Sequence, residues 1–342
     1  MARRVALPIL CAPNLPNMID RRTFIRVAGA GIALFALAAE AQREGRLPRI
    51  GVLLPWKEGG GKEVLSDGLQ ELGYVDGRTA VIEWRWWEGK PERLRGAAAE
   101  MVRLKLDVVV VGGSEATKAM KEATQSIPIV FVGPSYPVEE GLVESLARPG
   151  GNITGVTVAQ SDHVEKLLQL LLDIVPALFD VGVIWSPANP GSTFTLRDTE
   201  AAARGLKLKV VPVAMGSPAD VEPALAAIAR ARPGALIVHP TPVSSANVEH
   251  IGDLAIRLQI PSITAAKALM ERGLLMSYGA DYRDVERRIP GYVNRILKGA
   301  RPADMPVERP TKFEFYINGK TAKAIGVTIP QSLQARADDI IR

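Results

Sequence analysis

The amino-acid sequence predicts an α/β protein made of two doubly wound, Rossmann-like parallel-sheet lobes with a cleft between them. From residue 49 onward, short apolar runs alternate with segments of helical period, which is the pattern of a parallel sheet covered by helices on both faces. This alternation restarts after residue 158, so a second lobe of the same kind follows the first. The chain has 342 residues, 47% of them hydrophobic, and is too long for one small core.

The first lobe is predicted from continuous apolar runs, which are typical of strands buried on both faces of a parallel sheet. The runs span residues 50–54, 80–84, 108–111 and 129–132. Between them lie helices with one apolar face, the first of which carries Leu65 and Leu69 one turn apart.

The second lobe is predicted from a helix and further strands, followed by a short tail. After a further apolar run at 152–158, the elements of this lobe span residues 162–175, 181–185, 208–213, 235–238 and 261–264, and the tail adds 274–278, 281–297 and 312–317. Because the tail is too short for a third domain, we expect it to add elements to both lobes, with the chain crossing between them more than once. Pro290 is expected to kink or split its helix.

The first 41 residues have the pattern of an export signal. Arg21 and Arg22, with Phe24 two positions on, resemble a twin-arginine motif, and an apolar run at 27–39 ends in small residues suited to cleavage near Ala41. The run is shorter than the roughly 20 residues that a membrane span needs. We therefore expect a periplasmic protein, exported by the twin-arginine or the Sec route.

Met18 lies at a normal distance before the arginine pair, so we interpret residues 1–17 as an over-extended gene start and residues 18–41 as the signal peptide. Cys11, the single cysteine, lies in the upstream stretch. The mature chain would then hold no cysteine, which excludes thiol catalysis, disulfides and cysteine-ligated metals and suits an oxidising compartment.

The net charge of +5 is concentrated in the leader. Residues 1–41 hold five arginines and two acids, so the remaining chain is close to neutral. No basic run interleaved with aromatic residues follows, although such a run is the footprint of nucleic-acid binding. We therefore expect no nucleic-acid partner.

Motifs for catalysis or metal binding are missing from the sequence. The three histidines, His163, His239 and His250, lack metal-ligand spacing. Glycines 59–61 do not form a phosphate loop, because Glu63 stands where Ser or Thr would bind magnesium; they form either a loop that covers a ligand or a plain linker. We expect no metal, no cofactor and no enzymatic activity, with His163 and His250 in solvent and His239 either at a pocket or in a capped loop.

Ligands of open α/β sheets bind outside the carboxyl ends of the strands, so residues at those ends form the candidate binding site. Gly112, Gly113 and Ser114 open a helix and offer amides and a hydroxyl to an anionic group, although Ser114 could equally be an N-cap. Trp56 and Tyr136 could hold a flat ligand or pack elsewhere. The full candidate set is Pro55, Trp56, Gly112, Gly113, Ser114, Ser135, Tyr136, Asn189, His239, Thr241, Lys267, Tyr278 and Asp281.

Ordered motifs between residues 48 and 342 resemble one known family. They are PRIGVL at 48–53, GLQELGY at 68–74, RPGGNITGV at 148–156, GLLMSYG at 273–279 and NGKTAK at 318–323. The chain is similar to substrate-binding proteins of ABC importers in the tryptophan/tyrosine-receptor-like group, which have the type I periplasmic binding protein fold. Two places depart from the pattern of this group, namely the loop at 56–59 and Pro290.

This resemblance implies a monomeric periplasmic receptor without catalytic activity. Such a receptor closes on a small polar or amino-acid-like solute, including aromatic ones, and delivers it to an ABC permease of the inner membrane that works with a separate ATPase. The resemblance implies that Gly112, Gly113 and Ser114 form the ligand loop and that residues 277–279 form a crossover. The implied lobes are residues 48–158 plus 279–305, and residues 159–278 plus 306–342.

Two other functions remain compatible with the sequence. An exported two-lobed α/β enzyme acting on a small polar substrate would need an acid/base pair in the cleft, and Asp281 and Asp284 are the nearest candidates. Asp284 is however expected to cap the following helix, and Asp281 could instead hold a ligand ammonium. A sensor subunit that presents its ligand to a receptor kinase would keep the same fold.

Overall fold

The computed structural model describes residues 46–55, 61–158 and 163–342. The predicted leader at 1–41, with its signal peptide and gene start, lies outside these residues, as does Trp56. No helix in the described part of the chain is both long and apolar enough to cross a membrane.

The first sheet has five parallel strands that pair in the order β2-β1-β3-β4-β5. The strands are β1 (Arg49–Leu54), β2 (Val81–Trp86), β3 (Val108–Gly112), β4 (Ile129–Val132) and β5 (Ile153–Val156). The strand order reverses between β1 and β3, and sheets of this kind bind ligands at such a reversal.

Three helices connect the strands of this sheet and cover both of its faces. They are α1 (Gly61–Glu71), α2 (Pro91–Arg103) and α3 (Ser114–Ala123). Leu65 and Leu69 of α1 pack in an apolar cluster with Ile50, whereas Leu94 of α2 and Met120 of α3 belong to a cluster on the other face. The helix faces that the sequence pattern predicts as apolar are therefore buried.

The second sheet has seven strands in the order β12-β11-β10-β9-β8-β6-β7. They are β6 (Asp180–Trp185), β7 (Lys209–Ala214), β8 (Ala235–Val238), β9 (Ser262–Thr264), β10 (Met276–Ala280), β11 (Phe313–Asn318) and β12 (Asp339–Ile341). All neighbouring strands are parallel except β10 and β11, which pair antiparallel. The two helix-covered sheets confirm the predicted α/β fold class.

Further helices follow the first sheet along the chain. They are α4 (His163–Ile174), α5 (Pro190–Gly205), α6 (Val221–Ala231), α7 (Pro242–Ala246), α8 (Val248–Leu258), α9 (Lys267–Met270), α10 (Tyr282–Leu297), α11 (Gly319–Ala324) and α12 (Gln331–Gln334). Two 3₁₀ turns, Pro218–Asp220 and Pro302–Asp304, complete the connections.

Helix α10 takes the chain from the second sheet back to the first. It follows β10 of the second sheet, yet Val285, Ile289 and Val293 pack with Ile50 and Leu69 in the core of the first sheet. The chain then returns to the second sheet through β11. Two connections of the tail therefore run between the sheets.

Pro290 lies inside α10, which runs unbroken from Tyr282 to Leu297, so the helix is not split. The proline is buried and packs beside Gly68 of α1, where an added Cβ would lie 2.6 Å from Pro290 Cγ. Gly68 thus provides the space in which α1 and α10 approach each other.

Candidate functional site

A cavity of about 850 Å³ lies where the carboxyl ends of the two sheets face each other. Its lining comes from the loops that follow β1, β3 and β4 on one side and β6, β8 and β9 on the other. Residues of α10 complete the first side. This is the position at which doubly wound sheets bind ligands.

The cavity lies between two walls that come from different sheets. The first wall is formed by Pro55, Ser114, Glu115, Tyr136 and Glu286, and the second wall by Asn189, Ser192, His239, Thr241 and Lys267. The first wall rests on the first sheet and on α10, and the second wall rests on the second sheet.

Most of the predicted site residues lie on the cavity surface. They are Pro55, Gly112, Gly113, Ser114, Ser135, Tyr136, Asn189, His239, Thr241, Lys267 and Asp281. The structure brings them together from distant parts of the sequence, because the loops after parallel strands share one edge of a sheet.

Tyr278 does not line the cavity, contrary to the expectation. The strand β10 ends at Ala280 rather than at the predicted residue 278, and Ala280 is the strand residue that reaches the cavity. The Tyr278 ring instead stacks on His163, with ring centroids 5.7 Å apart, and on Phe313 at 5.9 Å. His163, predicted to be in solvent, is half-buried in this aromatic cluster and borders the cavity.

The glycines before Ser114 have conformational and steric roles. Gly113 is the N-cap residue of α3 with φ +87°, so Ser114 is the first helical residue and not the N-cap. At Gly112, an added Cβ would lie 2.9 Å from Leu54 Cδ2. A side chain at either position would disturb the start of α3 beside the cavity.

Two carboxyl groups at the first wall were not predicted as site residues. Burial raises the pKa of Glu140 to about 7. The hydrogen bonds that the Ser114 hydroxyl and the Tyr136 amide donate to the carboxyl group act in the opposite direction but are the smaller effect. The Tyr136 N–H donates to Glu140 Oε1 at 3.2 Å, whereas the buried Oε2 has no partner among the described residues. Burial also raises the pKa of Glu115, against hydrogen bonds from its own amide and from the Asn189 side chain.

The two sides of the cavity contact each other directly at one end. The Tyr136 hydroxyl donates to Asp198 Oδ2 at 2.8 Å, and its ring lies 5.6 Å from that of Phe194. A Cβ added at Gly191 would lie 2.9 Å from Glu140 Oε1 and 3.2 Å from Ser114 Oγ. We call this contact of Ser114, Tyr136 and Glu140 with α5 the joint.

The second wall is built from helix caps and hydroxyl groups. Asn189 Oδ1 accepts from the Ser192 N–H at 2.9 Å and caps α5, and Thr241 Oγ1 accepts from the Ser244 N–H at 3.2 Å and caps α7. His239 Nδ1 lies 3.4 Å from Ser192 Oγ. These bonds fix the side chains before any ligand arrives.

Asp281 caps α10, the role predicted for Asp284. Its Oδ1 accepts from the Asp284 N–H at 3.1 Å and its Oδ2 accepts from Lys312 Nζ at 2.8 Å. The Asp284 carboxylate is paired with Arg288. Both acids proposed for catalysis are thus held by cations.

Further charged residues border the cavity near α10. Burial raises the pKa of Glu286 to about 7, an effect that Arg283 opposes and Glu63 reinforces. Lys267 Nζ lies 3.9 Å from the centroid of the Tyr316 ring. The sequence offers no signal for Glu286, because a glutamate within a helix is ordinarily solvated.

Within the ranges that the structure describes, no three His, Cys, Asp or Glu side chains come together as a metal site would require. The polar groups around the cavity include hydroxyls, amides, carboxyls, the buried imidazole of His239 and basic side chains such as Lys267 and Arg283. Their chemistry suits binding of a small polar molecule by hydrogen bonds.

Two sheets that present their carboxyl ends to a shared cavity define the fold of a two-lobed binding protein. The profile of the family described as ABC transporter substrate binding protein matches residues 61–341. The chain belongs to this family, and the resemblance drawn from its motifs is confirmed.

The chain is similar to one curated protein and to two solved structures of particular interest. The chain is 25% identical over 264 residues to the tyrosine-binding protein of Clostridioides difficile, covering 77% of this chain and 76% of the relative. The crystal structure of a conserved domain protein from Vibrio cholerae is 27% identical and superposes with a TM-score of 0.82 over 86% of this chain and 100% of that one. The ABC domain from Streptococcus pneumoniae in complex with L-Trp is 25% identical, with a TM-score of 0.81 over 86% of this chain and 100% of that one. The predicted type I periplasmic binding protein fold is confirmed.

Proposed function

We propose that this protein is the periplasmic solute receptor of an ABC importer and binds an amino-acid-like solute, with aromatic amino acids as the first candidates. It would deliver this solute, as a monomer, to a permease of the inner membrane that works with a separate ATPase. The observation that carries the proposal is the cavity of about 850 Å³ to which both sheets contribute polar groups. A site of this kind binds best when both sides touch the ligand at once.

The choice of solute class is supported by the named relatives and by the lining. One relative is a tyrosine-binding protein and another was crystallised with L-Trp. The cavity offers hydroxyl and imidazole groups beside the rings of Tyr136, Tyr282 and Tyr316, and such a mixture can hold a flat ring and a polar head together.

The proposed mechanism is a change of population between open and closed forms. We assign residues 48–158 plus 279–305 to one lobe and residues 159–278 plus 306–342 to the other. A solute that contacts Ser114 and Tyr136 on the first wall and His239 and Thr241 on the second has more partners when the lobes are close. The closed pair of lobes is then the form that the permease would recognise.

An enzymatic role has less support than a receptor role. Asp281 and Asp284, the candidate acid/base pair, are engaged by Lys312 and Arg288. The family consists of substrate-binding proteins. We therefore assign no catalytic step to the cavity.

The test is a thermal-shift screen of the purified protein against L-tryptophan, L-tyrosine, other amino acids, sugars and nucleosides. A ligand at about 100 times its dissociation constant should add about 2.7 kcal/mol to the free energy of unfolding. A hit that is recovered unchanged supports a receptor, and a hit that is consumed indicates an enzyme. No shift with any amino acid would contradict the proposed solute class.

A further inference from the structure

His239 carries a nitrogen that the fold leaves without a partner at the cavity. The residue follows β8, is 4% exposed and borders the cavity. Its backbone is fixed on both sides, since its N–H donates to Ile184 O at 3.0 Å and its carbonyl accepts from Ser244 Oγ at 2.7 Å. The main chain of His239 is therefore fixed, and the ring is held by burial and by the contact of Nδ1 with Ser192 Oγ.

The hydrogen bonds of Ser192 fix which ring nitrogen carries the proton. Ser192 Oγ accepts from the Ser186 N–H at 3.0 Å and lies 3.4 Å from His239 Nδ1. Among the described residues, His239 Nδ1 is the only acceptor within hydrogen-bond distance of the Ser192 hydroxyl proton, so the arrangement that satisfies both groups has the hydroxyl donating to Nδ1. Nδ1 is then the acceptor, and the ring proton must reside on Nε2.

The imidazole is neutral, because burial lowers the pKa of His239 to about 3 and the nearby His163 adds to this effect. A neutral ring with an acceptor at Nδ1 has a single N–H donor, at Nε2. That atom is buried and has no hydrogen-bond partner in the described ranges. Buried donors in folded proteins are nearly always paired, so an orphan at the edge of a cavity indicates a missing acceptor.

We propose that the Nε2–H of His239 is a fixed-tautomer donor that recognises an oxygen acceptor of the bound solute. This inference rests on the proposed receptor function and specifies one contact within it. The donor favours a solute with a carboxylate, carbonyl or hydroxyl oxygen at this place. It disfavours an ammonium group there, because an ammonium group has no lone pair that could accept a hydrogen bond from the N–H. For an aromatic amino acid, the oxygen can belong to the carboxylate or to the side chain.

The tautomer is tested first in the ligand-free protein by two-dimensional ¹H–¹⁵N NMR of the ring nitrogens. The expected spectrum assigns His239 as a neutral Nε2–H ring that does not titrate between about pH 5 and about pH 8. His250, which is exposed on α8, is the internal reference in the same spectra. An Nδ1–H tautomer, or a His239 that titrates in this range, would overturn the inference without reference to any ligand.

The contact is tested next with calorimetric titrations of L-tryptophan, L-tyrosine and tryptamine into the wild type, His239→Leu and His239→Gln. His239→Leu should bind the amino acids at least about tenfold more weakly, since one hydrogen bond to the ligand is lost. His239→Gln, whose amide places a donor near the position of Nε2, should recover part of the affinity. His250→Asn is the matched control and should bind like the wild type.

The comparison with tryptamine identifies the oxygen. If the partner is the carboxylate, the preference of the wild type for L-tryptophan over tryptamine should shrink in His239→Leu. If the partner is the phenol oxygen, only L-tyrosine binding should fall. Equal affinities of wild type and His239→Leu for both amino acids would refute the contact, whereas absence of binding by the wild type would refute the proposed solute class and leave the tautomer result standing.

Discussion

The two walls of the cavity differ in how their buried polar groups are stabilised. The second wall satisfies its hydroxyls and amides in helix caps and keeps His239 neutral by lowering its pKa to about 3. The first wall buries carboxyl groups, and burial raises the pKa of both Glu140 and Glu286 to about 7. Apart from Lys267, the residues named for the second wall are therefore preorganised and uncharged near neutral pH, while the charge of the first wall depends on how completely the cavity is covered.

The same comparison explains the role of the joint. Part of what covers Glu140 is Gly191 at the start of α5, which belongs to the opposite side of the cavity. A separation of the two sides would return the carboxyl to water and its pKa toward the ordinary range. The proton affinity of the first wall is thus coupled to the contact with the second.

The largest expected effect is on the free energy of unfolding. It concerns a feature that both sides share, namely a strand glycine that lies close to the backbone of a neighbouring segment. A Cβ at Gly155, where φ is +152°, would lie 2.1 Å from the Phe131 carbonyl oxygen, and one at Gly279 would lie 1.8 Å from the Ala265 carbonyl oxygen. Gly155→Ala and Gly279→Ala should each lower the free energy of unfolding by about 3 kcal/mol or more, because backbone must move. Urea denaturation followed by circular dichroism measures this.

Gly151→Ala and Gly205→Ala are the controls, because within the described part of the chain no heavy atom beyond the adjoining backbone lies within 4 Å of a Cβ at either position. They should change the free energy of unfolding by less than about 1 kcal/mol. If Gly155→Ala were as stable as the wild type and Gly279→Ala were not, the two sheets would differ in rigidity. That result would contradict the expectation that both sides depend equally on a strand glycine.

Much of the fold follows from the sequence, since strands buried on both faces appear as uninterrupted apolar runs. The strand β8 occupies the predicted residues 235–238 for this reason. The strand β12 was not predicted, because its three residues are exposed or half-buried and give no apolar run. The antiparallel pairing of β10 with β11 could not be predicted either, since the apolar pattern of a strand does not indicate its direction.

The candidate site was predictable only in part, for a physical reason. Residues at strand ends, such as Ser114 and His239, can be located once the strands are known. Glu286 borders the cavity and Glu140 lies against the lining residues Ser114 and Tyr136 through contacts between distant segments, and a charged residue on a loop or helix gives no sign of burial. Tyr278 was misplaced because the end of β10 differs by two residues from the prediction, and the cavity begins only where the strand ends.

The next-largest expected effect is a difference between the walls in how their contribution to stability depends on pH. Glu140 binds a proton more tightly in the folded protein than in the unfolded chain, so its contribution to stability is present at low pH and is lost as the pH rises from about 4.5 through about 7. His239 has the opposite sign, since its contribution is lost as the pH falls from 6.5 toward about 3. Stability should therefore decline on both sides of an intermediate pH.

Glu140→Gln should remove the share of Glu140 in the decline on the alkaline side and leave the share of Glu286. A tenfold difference in proton affinity corresponds to about 1.4 kcal/mol, and after allowance for partial exposure we expect the variant to exceed the wild type by about 2 kcal/mol at pH 8 but to match it at pH 5. Urea denaturation at the two pH values measures the difference, with Glu122→Gln, at an exposed position of α3, as control. A constant offset at both pH values would show that Glu140 does not titrate in this range.

The joint itself is tested by enlarging Gly191. In Gly191→Val the Cβ would lie 2.9 Å from Glu140 Oε1 and 3.2 Å from Ser114 Oγ, so the two sides of the cavity should be held apart. We expect the affinity for the solute found in the thermal screen to fall at least about tenfold, with little change in the ligand-free melting temperature. Gly205→Ala, at the other end of α5, should bind normally, and normal binding by Gly191→Val would mean that the joint does not need to form.

The smallest expected effect separates the hydroxyl of Tyr136 from its ring. Tyr136→Phe removes the bond to Asp198 but keeps the ring beside Phe194, and Asp198 retains its ion pair with Arg197. Asp198 is thus not left without a partner, so solute affinity should fall only about threefold to fivefold, the value of one partly exposed hydrogen bond. Tyr74→Phe, which removes a bond to Asn294 within the first side, should lower stability slightly and leave affinity unchanged. If both variants lowered affinity equally, the Tyr136 bond would act through general stability and not through the contact between the walls.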